Sequence, residues 1–249
     1  MEVIKVRDYN EMSKKAAEYI TSKVKSSTCI NLGLATGGTP LGLYKNMVLD
    51  FQKNKTDYQH VTSFNLDEYV GLSEDHPNSY HYYMKENLFN YINILKSNVH
   101  LPNGKGVSLK KECDHYDKLI KGCGGIDVQV LGIGQNGHIG FNEPGTSFGT
   151  KTHVVKLTES TRQANKHFFN DMDEVPTHAI TMGIQSIMNS REILLLASGA
   201  EKGVAINKLL QGDLNEQFPA SILQLHPNVT VIADEQSLTS HISIQDITT

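Results

Sequence analysis

Residues 29–44 read CINLGLATGGTPLGLY, and this stretch decides the fold class. Its first six residues form a short apolar run, the pattern of a strand buried on both faces. Ala35-Thr36-Gly37-Gly38-Thr39 then turns the chain, and paired glycines let the backbone bend sharply and approach a ligand. Pro40 fits the first position of a helix, where its missing N–H loses no hydrogen bond. Leu41, Tyr44, Val48 and Phe51 recur along one side of that helix.

The same strand, loop and helix unit repeats outward in both directions. Residues 2–6 read as a strand, and Asp8 caps a helix with Glu11 as its capping-box partner. Met12, Ala16, Tyr19 and Ile20 form that helix's apolar face. Residues 60–66, 126–133, 178–182, 192–198 and 229–233 read as further strands, and Asn78 or Ser79 opens an aromatic-rich helix through Phe89. Near-continuous apolar strands separated by amphipathic helices predict an α/β fold with an open, mostly parallel sheet and helices on both faces. No repeat, low-complexity tract or linker interrupts the pattern, so residues 1–249 are expected to form one catalytic domain.

Composition narrows the function classes. The chain has 249 residues, 39% of them hydrophobic and 20% charged, and a formal net charge of -4. A mildly acidic protein has no electrostatic reason to hold nucleic acid, while a locally positive pocket can still take an anionic small molecule. Cys29, Cys113 and Cys123 are odd in number and lack metal or redox spacing, so they read as thiols in a reducing cytosol. No apolar run reaches the length of a membrane span, and MEVIKVRDYNEM reads as strand rather than signal peptide. A cytoplasmic protein without membrane partners is expected.

In such sheets ligands bind beyond the carboxyl ends of the strands, and the unusual residues follow strands here. Thr36, Gly37, Gly38 and Thr39 precede a helix whose free N–H groups and dipole suit a phosphate; the alternative is a plain turn with Thr39 as N-cap. Lys202 in SGAEKG opens another helix, where a cation opposes the dipole unless an anion lies near; the alternative is a solvated lysine. Asp67 and Glu68 follow an apolar run. Because side chains alternate along a strand, one can face a cleft as a base while the other meets structural partners.

The richest segment is residues 132–144, GIGQNGHIGFNEP. Its G-x-G-x-x-G spacing imitates a dinucleotide turn, but Gly140 and Pro144 deny it the required helix. What remains is a flexed loop carrying His138, a proton carrier suited to neutral pH, with Asn136 and Glu143 nearby. Glu143 is placed to orient the imidazole. Glu74, Asp75, His76 and His81 match no metal-ligand spacing, and no serine or cysteine occupies a nucleophile elbow. Proton transfer is therefore expected, with no metal.

Together LATGGTPLGLY, SFNLDEYVGL with HPNSY, GIGQNGHIGFNEPG, LTESTRQAN, SGAEKG and LQLHP resemble, in order and across almost the whole chain, the isomerising glucosamine-6-phosphate deaminases. The resemblance implies the open sheet of ribose-5-phosphate isomerase and 6-phosphogluconolactonase. It implies conversion of glucosamine 6-phosphate and water to fructose 6-phosphate and ammonia, without metal or organic cofactor. His138, helped by Asn136 and Glu143, would open the sugar ring, and Asp67 would carry the proton from C2 to C1. Residues 36–39 and Lys202 would hold the phosphate, with Glu68 beside the base.

The sequence departs from the family's pattern in two places. Asn136 stands where many relatives carry Asp, which leaves Glu143 as the nearby carboxylate to polarise His138. His167 stands where the family commonly places a phosphate-binding arginine, with Lys166 and Arg162 as alternative cations. Relative to the longer hexameric members, the resemblance implies a monomer or small homo-oligomer without activation by N-acetylglucosamine 6-phosphate. Competing expectations are a sugar-phosphate lactonase or isomerase on the same fold, and a catalytically silent sugar-phosphate sensor.

Overall fold

The computed structural model describes residues 1–166, 169 and 171–239. In chain order the elements are β1 (Glu2–Val6), α1 (Tyr9–Ser26), β2 (Ile30–Leu34), α2 (Leu41–Asn54), β3 (Val61–Asn65), β4 (Asp67–Tyr69), α3 (Tyr80–Asn87), β5 (Val99–His100) and α4 (Leu109–Gly122). There follow β6 (Val128–Gly132), β7 (His153–Lys156), α5 (Glu159–Asn165), β8 (His178–Thr181), α6 (Ile184–Met188), β9 (Glu192–Ala197), α7 (Gly203–Gln211), β10 (Val229–Asp234) and α8 (Glu235–Leu238).

Seven strands form the main sheet in the order β1-β10-β9-β6-β2-β3-β5, and every pairing within it is parallel. All residues of β2 and of β10 are buried. Since successive side chains point to opposite faces, both faces of the sheet are covered. The expected open parallel sheet is thus observed, and its apolar runs form the core. Truncating a fully buried member such as Leu194 to alanine costs about 2–5 kcal/mol in cores of this kind.

A second, three-stranded sheet in the order β4-β8-β7 is antiparallel. Residues 178–182, read from sequence with the parallel strands, belong here instead. Apolar periodicity does not encode strand direction, so nothing local distinguishes the two cases. Asp67 and Glu68, expected just past a strand, open a strand of their own, β4. Beside this sheet Tyr69, Phe141, Leu157, Phe169, Val175 and Ala179 form a smaller core.

Several local expectations shift by a residue. Asp8 caps α1 by accepting the Glu11 N–H, but the Glu11 carboxylate reaches the Arg7 N–H rather than that of Asp8. Pro40 is the residue before α2 rather than its first; Leu43, Tyr44 and Met47 are buried, and Leu41, expected on the apolar side, is exposed. Ser79 caps α3, its hydroxyl accepting the Tyr82 N–H at 3.0 Å. Among the described residues no helix is long and apolar enough to cross a membrane.

Candidate active site

The loops that follow β2, β6 and β9, together with β4, carry the residues singled out by sequence. Three phenols pin the loop after β2. Tyr44 donates to the Ala35 carbonyl, Tyr83 to that of Gly37 at 2.7 Å, and Tyr9 to that of Gly38 at 2.9 Å. The carbonyls are thereby tied back into the protein. Among the described residues, the N–H groups of Gly37, Gly38 and Thr39 donate no hydrogen bond. An anion seated at the start of α2 meets donors rather than acceptors.

Asp67 and Glu68 diverge, as alternation along a strand requires. Glu68 turns to the start of α3, where its oxygens accept the N–H groups of Tyr80 and His81 at 3.0 Å each and contact His81 Nδ1 at 2.7 Å. It is 1% exposed, and this carboxylate, expected beside the base, holds α3 in place. Asp67 is 6% exposed and lies among tyrosines from α2, α3 and α4. Burial pushes its carboxyl up to about 8, the neighbouring Glu68 charge adds to the rise, and the Thr36 hydroxyl pulls the other way. Thr36, expected on the phosphate, therefore also serves the carboxyl.

The loop after β6 folds tightly around His138. Gly134 donates to the His138 carbonyl at 2.9 Å. A Cβ on Gly134 would lie 2.3 Å from the imidazole, so only glycine lets the ring rest against this backbone. Gly137 has φ +85°, and the Phe218 ring occupies the space where its Cβ would stand. Asn136 bridges the loop: its Nδ2 donates to Glu143 Oε2 at 2.8 Å, and its Oδ1 accepts the His138 N–H at 3.2 Å. The second oxygen of Glu143 accepts the Thr161 hydroxyl from α5.

Glu143 Oε2 stands 3.8 Å from His138 Nδ1, an ion-pair distance rather than a hydrogen bond. The expected direct orientation of the ring by Glu143 is not made at this distance, and Asn136 donates to the same oxygen instead. Glu143 acts through its field instead. Burial lowers the His138 pKa most; Glu143 raises it and Lys202 lowers it. Lys202 thus reaches the same site from the loop after β9, and burial holds its own pKa below the ordinary lysine value. Asp234 shapes this loop by accepting the Ser198 hydroxyl at 2.5 Å and the Gly199 N–H at 3.1 Å.

Arg162, an alternative phosphate cation from sequence, is committed elsewhere. Its guanidinium donates to the carbonyls of Met172 and Val175 at 2.8 and 3.1 Å and pairs with Glu159. Lys166 is exposed, and His167 lies outside the described residues. Thr161, Phe218, Asp234 and Tyr80 were not singled out by sequence. Asp234 had a usable signal, since an acid between an apolar run and Glu235-Gln236-Ser237 marks a helix start. Phe218 had none.

The family described as glucosamine-6-phosphate isomerases/6-phosphogluconolactonase matches residues 7–232. The chain belongs to this family. The glucosamine-6-phosphate deaminase of Halalkalibacterium halodurans is 55% identical over 238 residues, 96% of this chain and 97% of its own length. That of Thermoanaerobacter pseudethanolicus is 54% identical over 237 residues, 95% and 94% of the two chains. A solved monomeric glucosamine-6-phosphate deaminase superposes with a TM-score of 0.95 at 48% identity, covering 96% of this chain and 100% of that one. The 6-phosphogluconolactonase of Thermotoga maritima, at 19% identity and a TM-score of 0.73 over 94% and 98% of the two chains, shares the fold. The resemblance read from the motifs is borne out for family and fold.

Proposed function

We propose that this chain is an isomerising glucosamine-6-phosphate deaminase that converts glucosamine 6-phosphate and water to fructose 6-phosphate and ammonia. The observation that carries the reading is geometric: the buried Asp67 carboxylate lies against the loop that bears His138, 3.7 Å from where a Cβ on Gly140 would stand, and His138 in that loop is 3.8 Å from Glu143. A general base works best when its pKa lies near the working pH. Asp67 is tuned that way by burial.

The reaction divides between the two groups. His138, neutral because burial lowers its pKa, takes the proton of the C1 hydroxyl and returns it to the ring oxygen. The C1–O5 bond breaks and the open aldehyde forms. Glu143 stabilises the transient imidazolium. Ionised Asp67 then removes the C2 proton while the aldehyde oxygen takes a proton from the C2 ammonium, giving an enolamine, and Asp67 delivers its proton to C1, leaving an iminium at C2. Water adds to that carbon, ammonia departs, and the ketone remains. The substrate's C2 ammonium favours the ionised form of Asp67 as it binds, since an adjacent opposite charge lowers a carboxyl pKa.

The N–H groups of Gly37, Gly38 and Thr39, with Lys202, receive the phosphate, and His167 adds a further contact in this reading. An anion there offsets the burial of the Lys202 ammonium. The reading carries with it a cytoplasmic protein, monomeric or in a small homo-oligomer, that needs no cofactor. The high identity to deaminases from end to end supports it.

The test follows ammonia and fructose 6-phosphate released from glucosamine 6-phosphate by the wild type, Asp67→Asn and His138→Gln. Release by the wild type and its loss in both variants is expected. A wild type that releases no ammonia, or that hydrolyses 6-phosphogluconolactone instead, overturns the proposal.

A further inference from the structure

The small antiparallel sheet does more than carry Asp67. Asp67 and Thr181 are direct partners across β4 and β8, and directly opposed residues of antiparallel strands share a face. Thr181 is fully buried, and its hydroxyl accepts the Phe141 N–H at 3.1 Å. Phe141 belongs to the loop that bears His138. The next residue, Asn142, donates from Nδ2 to the carbonyls of Ile139 and Met182, each at 2.8 Å. The Met182 N–H in turn donates to the Leu66 carbonyl at 2.7 Å, immediately before Asp67.

The end of β8 therefore grips the strand of the base on one side and the histidine loop on the other. Gly140 marks the junction. A Cβ there would lie 3.0 Å from Thr181 Oγ1 and 3.7 Å from Asp67 Oδ2, so hydroxyl and carboxyl flank the same point of the loop. From this geometry we infer that Thr181 is a positioning residue. Its hydroxyl fixes the placement of the Asp67 carboxyl relative to the loop carrying His138, and so joins the proton-transfer and ring-opening halves of the site. Asn142 clamps the same junction. The kinetic consequence rests on the deaminase reading; the structural one does not.

The test compares Thr181→Val, which keeps the size and loses the hydroxyl, with Thr181→Ser, which keeps the hydroxyl. Two quantities are read: ammonia release kinetics and the titration of Asp67 by its carbon-13 carboxyl resonance. Glu68, Tyr69, Tyr44, Tyr80 and Tyr116, the titratable groups that interact with Asp67, are unchanged in both variants.

Thr181→Val is expected to lower kcat about tenfold while KM stays within about twofold, the signature of lost transition-state geometry. Water entering the loosened junction lowers the Asp67 midpoint by about one pH unit. Thr181→Ser restores both. An unchanged kcat and midpoint in Thr181→Val overturns the inference, and so does a serine variant no better than the valine one, which would trace the effect to the methyl group. If Thr181→Val does not fold, Thr181→Ala is read by the same criteria. A wild type without ammonia release sinks the deaminase reading alone, because the carboxyl titration still decides the role of Thr181.

Discussion

Replacing Asp67 by asparagine should stabilise the protein at neutral and alkaline pH while abolishing its chemistry. Burial moves the Asp67 carboxyl from an ordinary 3.8 up to about 8. Between those values the folded protein keeps a proton that the unfolded chain releases. Stability from this group is full below the lower value and is lost as pH rises through the upper one. One unit of pKa corresponds to about 1.4 kcal/mol. The ceiling is therefore on the order of 4 kcal/mol at pH 7 and 6 kcal/mol above pH 8. With local relaxation roughly halving it, Asp67→Asn should gain about 2–3 kcal/mol over the wild type at pH 8, a rise in Tm of roughly 4–12 °C. The assay is urea unfolding of both proteins at pH 5, 6, 7 and 8. Differencing the curves removes the titrations common to both. The gap should widen steadily with pH. A gap independent of pH, or a variant less stable at pH 8, refutes the claim that this carboxyl is held against its solvation.

The pH profile of kcat/KM should rise through a midpoint near 8, because the free enzyme needs Asp67 ionised; a plateau already reached at pH 6 contradicts the assignment. Gly134→Ala drives a methyl into the imidazole, so steady-state kinetics should show kcat lowered about a hundredfold with near-native circular dichroism. Lys202→Met should raise KM for the phosphorylated substrate at least about tenfold, and the His138 resonance should titrate at higher pH because Lys202 now lowers it. His167→Arg should lower KM by supplying a bidentate phosphate contact, and an unchanged or raised KM counts against His167 as a phosphate ligand.

The parallel sheet was legible because each of its strands is a local apolar run, and burial on both faces leaves that mark in any register. The small sheet was not. β4 has three residues, too few for a period, and β8 looks like any buried strand until its partners are known. The divergence of Asp67 and Glu68 followed from alternation alone. Asn136 next to Glu143 was legible as proximity, but the 3.8 Å that separates Glu143 from the His138 ring was not, since that distance is set only in three dimensions. Thr161 on Glu143 and Phe218 beneath Gly137 come from distant segments, and packing between distant segments leaves no local pattern.

β10 is the last strand among the described residues, yet it lies between β1 and β9. Its final residue, Asp234, ties down Ser198 and Gly199. Translation adds about 5–20 residues per second, and domains fold as their sequence emerges. β1 leaves the ribosome well before β10 and has no partner in its sheet until β10 arrives. The Lys202 loop waits for the same event. A growing polypeptide thus exposes the unpaired edge of β1 until β10 inserts, and that of β9 for the shorter stretch between the two strands. Chains that stop short of β10 therefore keep these edges open, which makes them prone to stick to one another, and they lack the tie from Asp234 to the loop that bears Lys202.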